Sequence, residues 1–300
     1  MSVEASRVRA QAAPAAWGQV VTDYVTLTKP RVQLLLLLTT VTTMYVAGDP
    51  SPGLVLLTCV GGFLSAGGAG AVNHYYDRDI DAQMARTATR PVPSGRIRPK
   101  AALAYGFALQ ALSFLLLATT VNLLAAVLAL CGFLGYVFVY TMWLKRSTPQ
   151  NIVIGGAAGA VPPLVGWAAV TGSVDPAAWY LFAIVFYWTP PHFWALSLLM
   201  KDEYARVGVP MMPVVHGEVE TRRQILLYTG LLVVLTMLPV VFGFFGAIYA
   251  VAALGLGGAF IVLAVRLQRR ADRKSALRTY LFSLGYLAAL FCAMVADAQL

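Results

Sequence analysis

The sequence predicts an all-α polytopic membrane protein of nine transmembrane helices, with the N-terminus cytoplasmic and the C-terminus outside. Three observations carry that reading. Composition is the first: of 300 residues, 59% are hydrophobic and only 12% charged, with a mean hydropathy of +0.72. Soluble domains carry about 25% charged residues. The second is a recurrence of apolar runs long enough to cross a hydrocarbon core of about 30 Å. They fall near 32–48, 54–72, 101–120, 123–141, 152–170, 179–199, 225–242, 247–265 and 279–296.

The third observation is where the basic residues lie. When the connections are sorted alternately, one side holds 1–31, 73–100, 142–151, 200–224 and 266–278. All 22 Lys and Arg fall on that side. The other side has only the acids Asp49, Asp175 and Asp297. The positive-inside rule makes the basic side cytoplasmic. The net charge of +9 is then explained by topology and anionic headgroups of the lipid bilayer, with no nucleic acid partner. Residues 1–26 read as an N-terminal cytoplasmic tail without the apolar core of a signal peptide, and 27–300 as a single transmembrane domain. Cys59, Cys131 and Cys292 fall inside predicted spans and read as small packing residues. A bacterial cytoplasmic membrane is the expected location.

The connections on the non-basic side are short. Two on the basic side, 73–100 and 200–224, are long and contain most of the acidic residues. In the first, Asn73, Asp77 and Asp81 stand four residues apart where the second span ends. Each such step turns a helix by only about 40°, so the three oxygen-bearing side chains share one face. Asp79 lies about 160° from Asp81 and suits a solvated pair with Arg78. Carboxylates at membrane depth are costly and point to function. Magnesium takes oxygen ligands and shares them with substrate phosphates, so Mg2+ on a diphosphate is the expected chemistry. Pro91, Pro93 and Gly95 are expected to end the helix and to turn Arg90 or Arg96 back over the site.

A second set of residues lies further on. Lys145 and Arg146 close the fourth span after Tyr136, Tyr140 and Trp143. They read either as a positive-inside pair or as a clamp on phosphate oxygens. Gly155, Gly156 and Gly159 allow close helix approach. Pro190 and Pro191 are expected to open the sixth span locally beside His192, flanked by Trp188, Phe193 and Trp194. Lys201, Asp202 and Glu203 follow. Asp202 and Glu203 are the natural acids for a second magnesium, although neighbouring positions do not share a helix face. His74 reads either as a headgroup contact or as a site residue.

These stretches resemble the UbiA-type intramembrane prenyltransferase superfamily. The resemblance rests on Asn73-His-Tyr-Tyr-Asp-Arg-Asp-Ile-Asp81, Arg90-Pro-Val-Pro-Ser-Gly95, the run from Tyr140 to Ile152, Gly155 to Pro163, Gly166 to Gly172, Trp188-Thr-Pro-Pro-His-Phe-Trp194 and Gly208 to Pro213. It extends from about Lys29 to His216, and its finer wording points to the branch that farnesylates haem. The resemblance implies a UbiA-type prenyltransferase bundle that moves a farnesyl group from farnesyl diphosphate to a vinyl group of haem B, with water addition, giving haem O. Asn73, Asp77, Asp81 and Asp202 would hold Mg2+, with Lys145 and Arg146 also in the catalytic set. Arg31, Arg90, Tyr76, Tyr140, Trp143, His192, Trp194, Lys201 and Glu203 would bind substrate. A haem A synthase or terminal oxidase is the implied partner. Family members usually carry spaced aspartates after the sixth span; here only Asp202 and Glu203 stand there, with Lys201 alongside. Two rival functions are a family member acting on a quinone precursor or chlorophyllide, and an ion-coupled transporter. A transporter's acids belong near mid-membrane, whereas these sit at helix ends.

Overall fold

The computed structural model describes residues 17–300, so the first part of the predicted tail, with Arg7 and Arg9, lies outside the described residues. Every regular element among the described residues is helical. The chain runs α1 (Trp17–Leu27), α2 (Pro30–Ala47), α3 (Pro52–Tyr76), the short α4 (Arg78–Gln83), α5 (Pro99–Thr120) and α6 (Leu123–Leu134). α6 continues as a π-helical segment, Gly135–Leu144, and one turn of α7 (Lys145–Ser147). Then come α8 (Asn151–Gly159), α9 (Val161–Thr171), α10 (Pro176–Leu199), α11 (Lys201–Arg206), α12 (Met212–Val215), α13 (Gly217–Val241), α14 (Ala247–Arg270) and α15 (Arg273–Ala298).

Among the described residues, eight stretches are long and apolar enough to cross a membrane, α6 with its continuation counting as one and α8 with α9 as another. α10, at 24 residues, is the remaining long helix; Trp, Tyr, Thr, Pro and His dilute its apolar character. The fifth predicted span is interrupted at Ala160. Pro162 and Pro163 have no amide hydrogen to donate to α8, so the chain restarts there as α9, in whose first turn free amides go unused anyway. Pro190 and Pro191 do not open α10 as expected. That helix is continuous from Pro176 to Leu199, and the Thr189 hydroxyl donates to Val185 O at 2.8 Å.

Polar caps start several helices. Ser51, Asn122 and Asp272 accept the amides of Leu54, Ala125 and Ser275. Between helices, lipid offers no hydrophobic drive to associate, and close approach of backbones decides packing. A Cβ on Gly68 would lie 2.6 Å from Gly106 O, and one on Gly166 only 2.4 Å from Thr40 O. The first contact locks α3 onto α5, the second α2 onto α9. Ser65 adds hydroxyl contacts with Gln110 Oε1 at 2.8 Å and Ala129 O at 3.1 Å, joining α3, α5 and α6. α15 returns to α2, where Gln299 Nε2 donates to Tyr45 O at 3.2 Å, and this closes the bundle.

Outside the spans, α1 occupies part of the predicted tail. It turns Asp23 and Leu27 inward and leaves Trp17, Val21 and Val25 exposed along one stripe.

The glycine contacts make a direct comparison possible. Gly166→Ala forces a methyl against backbone and is expected to lower stability by about 1–3 kcal/mol. Gly230→Ala meets open space within α13 and is expected to be neutral or mildly stabilising. Thermal unfolding of the two variants in detergent measures the difference.

Candidate active site

The oxygen stripe survives a change of helix. α3 ends at Tyr76 and α4 begins at Arg78, yet the Asp77 amide donates to Asn73 O at 2.9 Å and the Asp81 amide to Asp77 O at 2.7 Å. Helical four-residue steps therefore persist through the junction, and all three side chains are buried together. Asp79 points away, its side chain 57% exposed, and takes both guanidinium nitrogens of Arg146 at 2.7 Å. Its hydrogen bonds to Arg146 hold the Asp79 carboxyl down at about 2.

Each member of the stripe faces a cation. Lys29 Nζ donates to Asn73 Oδ1 at 2.6 Å, Lys145 Nζ pairs with Asp77 Oδ2, and Arg90 Nη1 meets Asp81 Oδ2 at 2.7 Å. Asn73 Nδ2 also donates to Asp77 Oδ2 at 2.6 Å and to Thr141 Oγ1 at 3.2 Å. Asp77 Oδ1 is buried with no hydrogen-bond partner, and Arg146 Nη2 stands 3.8 Å from it. Burial, then the charges of Arg90 and Lys145, push the Lys29 ammonium down to about 7, against the opposing pull of Asp77 and Asp81. Cations thus crowd two buried carboxylates, an arrangement complementary to a polyanion.

Local backbone geometry explains how these groups meet. Lys29 adopts a left-handed conformation, φ 54°, directly before Pro30, a region uncommon for residues other than glycine. The π-helical segment acts on Lys145. In an α-helix, nine residues would put Lys145 about 180° from Tyr136. With i→i+5 bonding, ending at Lys145 N to Tyr140 O, a turn takes about 4.4 residues and the angle shrinks to about 15°. Tyr136, Tyr140, Thr141 and Lys145 then share one face.

Several expectations are redirected. The helix ends at Gln83, before the prolines, because Met84 is already extended. Arg90 does return to the stripe, but Arg96 donates to Asp23 of α1 at 2.9 Å instead and anchors that helix. Arg31 is exposed, and Lys29, two residues earlier, takes the inward position. Trp143 is 65% exposed and faces away from the packed interior. Tyr76 is half-buried; its carbonyl accepts from Arg146 Nη2 at 2.8 Å. Tyr140 lies in the interior, its ring against Gly155, where an added Cβ would stand 2.4 Å from Cδ2.

On the far side, Lys201 bonds Glu218 at 3.1 Å and Asp202 is exposed, so neither is drawn to the stripe. Glu203 turns inward, with Oε2 buried and unpartnered. Tyr204 does reach the site: its phenol, with a pKa raised by burial, lies in the field of Lys145, Arg86 and Arg90. The sequence reading passes over Lys29 and Tyr204. The signal available for Lys29 was only a basic residue before a helix-starting proline; for Tyr204, only a tyrosine next to two acids. Trp194 is fully buried, edge-on to Tyr228 at 5.2 Å.

His192 lies between α10 and α15. Its ring stacks on Trp188 at 4.4 Å and on Tyr280 at 4.9 Å. Ser283 Oγ spends its single hydrogen on Tyr280 O at 2.6 Å, so it must accept from His192 Nδ1 at 2.7 Å. That fixes the hydrogen on Nδ1 and leaves Nε2 as a bare acceptor without a partner among the described residues.

The UbiA prenyltransferase family matches residues 36–288. The chain belongs to the UbiA prenyltransferase family. It is 56% identical over 284 residues to the protoheme IX farnesyltransferase of Symbiobacterium thermophilum, covering 93% of this chain and 95% of that protein. It is also 56% identical over 277 residues to the protoheme IX farnesyltransferase of Roseiflexus sp. strain RS-1, with 92% of this chain covered. The chain spans about half the length of that second relative, 52%. In fold it is similar to a UbiA homologue from Archaeoglobus fulgidus bound to DMAPP and Mg2+, with a TM-score of 0.68 over 91% of this chain and 99% of the other, at 17% identity. That likeness accounts for the all-helical bundle.

Among the described residues, no three His, Cys, Asp or Glu side chains form a metal-holding group by themselves. A hard cation would therefore need Asn73 with the two aspartates and oxygens from a bound phosphate. The orphaned Asp77 Oδ1 suits that role. Inorganic diphosphate with Mg2+ is expected to raise the melting temperature of the protein. Asp77→Asn should abolish that shift and Asp202→Asn preserve it. Equal loss in both variants would return Asp202 to the site.

Proposed function

We propose that the protein transfers the farnesyl group of farnesyl diphosphate to a vinyl group of haem B, with addition of water, releasing diphosphate and forming haem O. The observation that carries the reaction class is the buried Asn73–Asp77–Asp81 stripe, faced by Lys29, Arg90, Lys145 and Arg146. The choice of haem as acceptor is supported by 56% identity over nearly the whole of the Symbiobacterium relative. A transporter reading fits less well, because the acids gather where α3 ends rather than in mid-span.

Asn73, Asp77 and Asp81 would hold Mg2+ against the substrate, and the ion when bound supplies positive charge that stabilises the departing diphosphate. Lys29, Arg90 and Lys145 would donate to diphosphate oxygens as charge builds on them. With phosphate present, the carboxylates no longer need the lysines and arginine as sole partners. Breaking the allylic C–O bond leaves a farnesyl cation. Tyr136 and Tyr140 pack ring to ring, and Tyr140 and Tyr204 pack on the cluster that holds Ile80 and Met84. Aromatic faces stabilise cations by about 0.5–2 kcal/mol each. The terminal vinyl carbon bonds to that cation, water adds to the cation left on the carbon beside the porphyrin, and the proton that water loses is taken up by the released diphosphate. Chain groups keep bulk water away until that step: Ile80 and Met84 beside the stripe belong to one buried cluster with Trp194, and Tyr280 packs on it.

His192 is the residue we assign to haem. A neutral imidazole with hydrogen fixed on Nδ1 offers Nε2 to iron, the usual arrangement for a ligating histidine. Trp188 and Tyr280 fix the ring plane. With nine membrane crossings, α10 being the sixth, and the basic connections inside, the site would face the cytoplasm at a bacterial inner membrane. Haem O made there would pass to a haem A synthase or terminal oxidase.

Membranes containing the protein, supplied with haem B, farnesyl diphosphate and Mg2+, are expected to yield haem O by chromatography and mass spectrometry. No product from intact protein would reject the assignment. Asp77→Ala should lower turnover by about 100-fold or more, and Asp79→Ala much less; equal damage would discredit the division between buried and exposed aspartates. For the acceptor site, His192→Ala is expected to shift the Soret band of the haem-loaded protein and weaken haem binding. Farnesyl diphosphate binding should stay unchanged. An unaltered spectrum would remove His192 as an iron ligand.

A further inference from the structure

The polar machinery described so far leaves one group of cations unused. Where α14 ends and α15 begins, Leu263, Arg266, Arg270, Ser275 and Arg278 line a cavity of about 260 Å³. Arg266 and Arg270 are one turn apart on α14, and Arg278 faces them from α15. None of the three forms an ion pair among the described residues. The adjacent carboxylate, Asp272, is committed to capping α15 through the Ser275 amide at 2.6 Å. Three guanidinium groups on two helices therefore surround a space that no anion among the described residues fills.

The surroundings say what kind of anion suits it. Val262, Leu277 and Leu281 stand exposed on the same turns of α14 and α15, 44–54% accessible, and continue the apolar outer surface of the bundle. An occupant would meet planar, bidentate donors at its head and hydrocarbon-compatible side chains beside it. Arginine forks match phosphate oxygens in this way, and basic clefts between membrane helices are suited to anionic lipid headgroups. We propose that this cleft binds the phosphate of an anionic phospholipid headgroup, with the acyl chains lying along Val262, Leu277 and Leu281. Free phosphate or diphosphate offers the same head chemistry without the chains. The site is separate from the acidic stripe and does not rest on the farnesyl-transfer reading.

Native mass spectrometry of the delipidated full-length protein in detergent tests the cleft. Phosphatidylglycerol, phosphatidylcholine and inorganic diphosphate are titrated separately. Phosphatidylglycerol is expected to occupy a first site at lower concentration than phosphatidylcholine. The triple variant R266Q/R270Q/R278Q should weaken that first occupancy roughly tenfold or more, while a variant with the same charge removed elsewhere, R98Q/K100Q/R206Q, should not. Retained helical circular dichroism establishes that the variants are folded. If the first triple fails to fold, the single variants Arg266→Gln and Arg278→Gln carry the same expectation at smaller size. Equal lipid occupancy in wild type and cleft variants, or equal loss in the charge-matched control, overturns the proposal. Competition by inorganic diphosphate at lipid-equivalent concentration would also overturn it, by making the cleft a free-anion site.

Discussion

Two carboxylates and an amide buried at the end of α3 cannot stand without counter-charge, and most of what is irregular in this chain serves that requirement. Water is excluded from Asp77 and Asp81, so each must find a cation or pay a desolvation penalty of several kcal/mol. Lys29, Lys145 and Arg90 come from three separate segments, the first to the Asn73 amide oxygen and the other two to Asp77 and Asp81. Those segments are the start of α2, the end of the π-helical stretch and the turns after α4. Their convergence fixes the mouth of the bundle, and the one carboxylate oxygen left over, Asp77 Oδ1, marks where a further cation fits.

Three deviations from regular α-helix lie around this mouth. Lys29 occupies left-handed backbone space, α3 hands over to α4 at Asp77, and ten residues before Lys145 wind as a π-helix. Each costs local backbone energy that an uninterrupted helix would not. Tertiary contacts offset the cost, since Lys145 reaches Asp77 only through the altered winding. By contrast, α13, α14 and α15 are uninterrupted helices of 24 to 26 residues, and the acidic stripe draws no partner from them among the described residues. The same separation leaves the arginines between α14 and α15 free of the acidic site.

Charge distribution also separates the two acidic regions. At 73–81 the acids alternate between inward and outward faces, and the outward Asp79 takes Arg146, which is more exposed than Lys145 or Arg90. At 201–203 the order is reversed: the inward residue is Glu203, and Lys201 is held by Glu218 on α13. The second region thus contributes a phenol, Tyr204, and one buried glutamate oxygen, not a second stripe of aspartates.

The sequence by itself determined the helical class, the apolar runs and the oxygen stripe, because hydropathy and four-residue spacing are local properties of the chain. It also separated Asp79 from Asp77 and Asp81, since helix geometry alone puts them on different faces. Tertiary structure decided which cations arrive. Lys29 rather than Arg31, Arg90 rather than Arg96, and Tyr204 beside Lys145 all depend on backbone conformations set by distant packing. The redirection of Trp143 outward has the same origin. A π-helix and a left-handed lysine are selected by buried charges reaching across the fold, and no pattern within their own segments records that demand.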